Sequence, residues 1–106
     1  MSAQNPTVEA AKELGLELRE DQYAAARQLL VQKIAGLLDS NFPQLVSILY
    51  RLDIYEKKLR VLLRENPDTD AAELIADLII ERQAQKIKSR EEYRRQQNDI
   101  DEEEKW

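Results

Sequence analysis

The sequence predicts an all-α fold, a small bundle of four to five helices with a long C-terminal helix and a disordered acidic tail. Three observations carry this. Leu, Ala, Glu, Lys, Arg and Gln dominate the 106 residues, and the whole chain holds only two Gly, three Pro and six aromatic residues, a composition that favours helix. Apolar residues recur at three- and four-residue steps over most of the chain. Helix-start signals such as Asn5-Pro6, Pro43 and Asp70-x-x-Glu73 recur at intervals that fit helices and short connections.

Taken in order, Asn5-Pro6 suits an N-cap and first-turn pair, and Gly15 suits the position just past a helix end, so residues 6–14 are expected to form one short helix. Leu14, Leu16 and Leu18 then alternate with Gly15 and Glu17. With no second strand to pair with, this is read as an apolar connector laid on the core. From Glu20 to Leu38, the residues Tyr23, Ala26, Leu30, Ile34, Leu37 and Leu38 mark an amphipathic helix, ended by Asp39-Ser40-Asn41. Leu45, Ile48, Leu49 and Leu52 stripe the next helix. The run Asp53-Ile54-Tyr55-Glu56 reads as a capping box that starts another, with Tyr55, Leu59, Leu62 and Leu63 facing inward.

Asn66-Pro67 ends that helix. A second capping box at Asp70 and Glu73 starts the last and longest, whose main stripe is Ala71, Leu74, Ile75, Leu78 and Ile79. A second, weaker stripe follows in Ile80, Ala84 and Ile87. It either packs under the segment around Leu14 to Leu18 or forms a helix–helix dimer seam. We expect residues 1–5 to be a flexible N-terminus, residues 6–96 a single helical domain, and residues 97–106 the acidic disordered tail, where DIDEEEKW places five carboxylates against one Lys.

Composition also bounds function. With no Cys and no His, disulfides and the usual transition-metal sites are ruled out, and a core this small leaves oligomerisation as the stabilising device. No apolar run approaches the roughly 20 residues needed to span a bilayer, and MSAQNPTVEAAKE lacks the features of a secretory signal. A cytoplasmic protein with no membrane association is the expectation. The net charge of −5 disfavours, without excluding, a nucleic-acid partner.

The charged feature of most interest is the row Arg82, Lys86, Arg90 and Arg94, four residues apart on one helix face. Like charges at that spacing cost roughly 0.2–0.5 kcal/mol each, and a helix C-terminus offsets part of this through its dipole. The row is read as a solvated helix end, as the rim of a protein interface around Ile80, Ala84 and Ile87, or as a surface covered by the chain's own carboxylates: Glu9, Glu13, Glu17 and Asp21, or the acidic tail from Asp99 to Glu104.

Residues 43–65, PQLVSILYRLDIYEKKLRVLLRE, resemble a helix-turn-helix. Ile48, Leu52, Ile54, Leu59 and Leu62 fall at its apolar positions, while Leu49 stands where a small residue is usual and Asp53 replaces the usual turn Gly. The resemblance implies DNA contacts through Lys57, Lys58 and Arg60; the alternative is simply two bundle helices.

The fragment Glu73-Leu-Ile-Ala-Asp77 is loosely similar to the carboxylate helix of all-helical nucleotide pyrophosphatases, which bind Mg²⁺ through paired acidic motifs. Its spacing is E-x-x-x-D, and the paired E-x-x-E element is missing. No catalytic, cofactor-binding or metal-ligating residue is identified. The expectation is therefore a non-catalytic interaction or assembly module, self-associating as a homodimer through the C-terminal helix or binding another protein. A helix-turn-helix DNA binder is the alternative, and a Mg²⁺-dependent hydrolase the third reading.

Overall fold

The computed structural model describes residues 5–104, with side chains through Gln96. The expected flexible N-terminus falls almost wholly outside the described residues, and the side chains of the expected acidic tail fall outside them too. Five α-helices and one 3₁₀ turn follow each other, with no strand among the described residues: α1 (Pro6–Glu13), the 3₁₀ turn (Glu20–Ala25), α2 (Ala26–Ser40), α3 (Phe42–Arg51), α4 (Glu56–Glu65) and α5 (Ala71–Glu104).

Local chemistry sets most boundaries. Asn5 Oδ1 accepts from the N–H groups of Thr7 (2.9 Å) and Val8 (3.3 Å), and Pro6 occupies the first turn where its missing N–H costs nothing. At the other end of α1, Gly15 takes φ +86°, Gly15 N–H donates to Lys12 O (2.9 Å) and Leu16 N–H to Ala11 O (3.0 Å). That pair of bonds is the Schellman closure. Leu14 is buried and Leu16 and Leu18 are half-buried, so the segment is the apolar connector its composition indicated.

Three expectations are corrected by the geometry. The helix expected from Glu20 begins as a 3₁₀ turn, which changes the rotation per residue and leaves Tyr23 exposed; the buried stripe starts at Ala26 and continues through Leu30, Ile34 and Leu37. Asp53 does not cap α4. It ends α3 in a second Schellman closure at φ +65°, with Asp53 N–H donating to Tyr50 O (3.0 Å) and Ile54 N–H to Leu49 O (2.9 Å). The N-cap of α4 is Tyr55, whose ring lies outside, not in the core. Before α5, Asp70 does cap, its Oδ1 accepting from Ala72 N–H at 2.8 Å, while the Glu73 carboxylate faces Arg27 at 3.7 Å.

The core is built by α5 against α1 and α2, its most extensive neighbours, with α3 leaning on α2 and α4 on α5. Leu30, Ile34, Leu45, Leu52, Ile75 and Ile79 are the largest fully enclosed side chains. On α5 the buried positions are Ala72, Ile75, Ala76, Leu78, Ile79, Gln83 and Ile87. At about 100° per residue these belong to one face, centred roughly 70° around the helix from Ile75. Of the second stripe expected from sequence, Ile87 therefore belongs to the far end of this one face, with Ile80 half-buried and Ala84 exposed.

Beyond Ile87, every side chain from Lys88 to Gln96 is exposed. The Cα radius of gyration of 16.8 Å exceeds the radius of about 13 Å usual for a compact domain of this length, and the principal extents of 59 × 35 × 23 Å show the excess along one axis. The outer part of α5 projects from the bundle and accounts for the excess. No helix among the described residues is long and apolar enough to cross a membrane.

Candidate functional site

The fold sorts the basic residues into those that hold the bundle together and those left facing outward. Arg82, first in the expected row, belongs to the first group. It reaches from α5 to the α3–α4 junction, where its Nε donates to Leu52 O (3.0 Å) and a terminal nitrogen to Asp53 Oδ2 (3.1 Å). The carbonyl it satisfies is one of those orphaned at the end of α3. Arg51 does the same for α1, donating to Glu13 O (3.1 Å) and Glu13 Oε2 (3.2 Å).

Arg27 on α2 lies between the two carboxylates of the pyrophosphatase-like fragment. Its Nε and a terminal nitrogen donate to the two oxygens of Asp77 (3.1 and 3.2 Å), and Glu73 approaches at 3.7 Å. The Asp77 hydrogen bonds, then the charges of Asp77 and Glu73, raise the guanidinium above its ordinary pKa. A cation is thus already supplied to this carboxylate pair by the chain itself. Among the described residues, no group of three or more His, Cys, Asp or Glu side chains could hold a metal ion.

Among the described residues, basic side chains outside any ion pair line recessed surfaces on two of the helices. One is the outer face of α4. Tyr55, Lys57, Lys58, Val61 and Leu62 line a shallow, predominantly apolar groove of about 560 Å³. Tyr50 and Tyr55 meet edge to face beside it, ring centroids 5.2 Å apart, and are 64% and 50% exposed, with Val61 at 42%. Such a cluster of exposed aromatic and aliphatic groups is characteristic of a contact surface. Arg60, the third residue assigned to DNA contact, pairs with Glu56 one turn back at 2.8 Å. The second surface is on α5, where Ser89, Arg90, Tyr93 and Arg94 border a depression of about 540 Å³.

The expected interface residues are thereby separated. Ile87 is buried and Ile80 half-buried against the main core, whereas Ala84 is exposed. Lys86 is half-buried, and its carbonyl accepts from Arg90 Nε at 3.4 Å; Arg90 and Arg94 face outward. The N-terminal acidic residues do not cover this row. Glu9 pairs with Lys12, Glu13 with Arg51 and Asp21 with Arg19. Gly15 turns the chain away before the four-residue spacing can continue.

Sequence reading missed the exposed aromatic pair at the α3–α4 junction and the Val61 surface of α4 beside it. Their signal was present as Tyr50, Tyr55 and Val61, apolar residues that fall off the buried stripes of their own helices. Comparison of the chain with protein-family models, curated proteins and solved structures gives no significant match.

Proposed function

We propose that the chain is a non-catalytic helical assembly module that self-associates through its C-terminal helix. The observation that carries this is the projecting part of α5, with every side chain from Lys88 to Gln96 exposed while the helix continues to Glu104. An isolated helical segment of about 12–15 residues is marginal in water, and this one also carries the i, i+4 like charges of Lys86, Arg90 and Arg94. A surface to lie against supplies what the segment lacks. The contact shifts outward from the stripe at Ile80 and Ile87, which the bundle itself uses, to the surface around Arg90 and Arg94.

The test is molar mass in solution as a function of concentration, by light scattering or sedimentation. A dimer that dissociates on dilution is expected. A monomer persisting at high micromolar concentration refutes the reading.

One observation favours a second reading, DNA binding by residues 43–65. Asp53 takes the positive φ that the turn Gly of a helix-turn-helix provides, and Lys57 and Lys58 are exposed on the following helix. Phosphate contacts weaken steeply with salt, so duplex binding that is absent even at low ionic strength removes it.

A further inference from the structure

Two features of the chain are complementary: an apolar groove lined in part by lysines on α4, and an acidic C-terminal sequence. Resting on the self-association reading, we propose that the groove lined by Tyr55, Lys57, Lys58, Val61 and Leu62 receives the acidic C-terminal sequence, residues 99–106, from a second copy of the chain. Residues 99–106 read DIDEEEKW, five carboxylates with Ile100 and Trp106 as apolar groups. The groove offers the matching chemistry, an apolar floor with the Lys57 and Lys58 ammonium groups beside it.

Charge selects this partner. Lys57 and Lys58 are exposed and enter no ion pair among the described residues, whereas Arg60 pairs with Glu56. Tyr50 and Tyr55 extend the apolar surface on the same side, giving Ile100 or Trp106 a place to lose contact with water. A phosphate backbone would use the two lysines and leave the aromatic pair and Val61 without a role.

Reach makes the contact intermolecular. Arg82 touches the α3–α4 junction, so the N-terminal end of α4 lies beside that level of α5. Asp99 is 17 residues further along the same helix, about 25 Å away at 1.5 Å per residue. The acidic end of a continuous helix therefore points away from its own α4. Two copies related by a twofold axis can each place an acidic end on the other's groove, forming a closed and self-complementary pair.

Charge reversal on the full chain tests this. Lys57→Glu/Lys58→Glu and, separately, Asp101→Lys/Glu102→Lys/Glu103→Lys are compared with wild type by sedimentation, with circular dichroism confirming that each variant stays folded. Each set is expected to weaken the dimer at least about tenfold, and the combination to restore it to within about threefold of wild type, the signature of paired charges. Neutral Lys57→Gln/Lys58→Gln is expected to fall between. Wild type that is monomeric throughout overturns the self-association reading and this inference with it. A dimer unaffected by either set, or weakened by both without restoration, overturns the inference alone and leaves self-association standing. Duplex DNA binding by wild type that is lost in Lys57→Glu/Lys58→Glu assigns the groove to nucleic acid and also overturns it.

Discussion

The junction between α3 and α4 sets how α4 is presented, and its stability rests on one residue in an unusual conformation. Asp53 sits at φ +65°, a region that costs a residue with a Cβ roughly 1–2 kcal/mol, somewhat less for Asp because its side chain can bond locally. Its carboxylate also accepts from Arg82 at 3.1 Å, with the two side chains 57% and 32% exposed, and such a pair contributes about 0.2–1 kcal/mol. Asp53→Gly removes both effects, so its net change is expected within about 0.5 kcal/mol. Asp53→Ala loses the ion pair and the local bonding that eases this conformation for Asp, while the backbone cost is already present in the native chain, so it is expected to lose about 0.5–1.5 kcal/mol. At roughly 4–8 °C per kcal/mol for a domain of this size, the Ala variant should melt below the Gly variant. The assay is thermal and urea unfolding followed by circular dichroism at one fixed protein concentration, since association shifts the midpoint. Equal stability of the Ala and Gly variants would refute the reasoning, because only the Cβ at positive φ distinguishes them.

Ile87→Ala is expected to destabilise the chain by about 2 kcal/mol, the low end for a buried Ile truncated near the rim of a core, while Ala84→Asp at an exposed helix position costs about 0.5–0.7 kcal/mol through helix propensity alone. Chemical denaturation of the two variants checks this, and a neutral Ile87→Ala would return that residue to the surface. Gln83 is 3% exposed and its Nε2 finds no hydrogen-bond partner among the described residues. Gln83→Met, of similar shape, should therefore stabilise by about 1 kcal/mol, read as a raised urea midpoint at unchanged slope. Gly15→Ala should cost about 1–2 kcal/mol through φ alone, since no atom lies within 4 Å of the position a Cβ would take; a neutral result would mean the backbone there relaxes.

Where local rules govern, the sequence was readable. Asn5-Pro6, Gly15, Pro43 and Asn66-Pro67 act within one turn of themselves, and each marks a helix boundary where expected. The stripe Leu45, Ile48, Leu49 and Leu52 is buried in full because α3 is short and meets the core on one side. The α5 stripe was centred wrongly because Ala72, Ala76 and Gln83 carry little weight in a hydrophobicity pattern, yet all are buried. Small residues are what let helices approach closely, and Ala10, Ala11 and Ala26 are enclosed on the helices that pack against α5. A stripe defined by Leu and Ile alone therefore pointed to one side of the true contact. At Asp53 two local signals competed: Asp-x-x-Glu matches a capping box, but the two backbone bonds that close α3 require the left-handed conformation one residue past its end.

The sorting of the cations was not readable, for a different reason. Arg27, Arg51 and Arg82 each find a partner 29 to 50 residues away, and nothing in their neighbourhoods distinguishes them from Arg90 or Lys57. Only the tertiary arrangement decides that Arg82 closes a helix end while Arg90 and Arg94, on the same face, project into solvent. This decision also fixes which charges remain for a partner. Once the inner arginines bind carbonyls and carboxylates of the bundle, the basic groups still facing outward on α4 lie beside the exposed aromatic pair Tyr50 and Tyr55. Those on α5 lie on the segment that leaves the bundle. In the contact proposed above, the acidic segment that meets α4 comes from a second molecule, because α5 carries its own C-terminal end about 25 Å beyond the level of the α3–α4 junction.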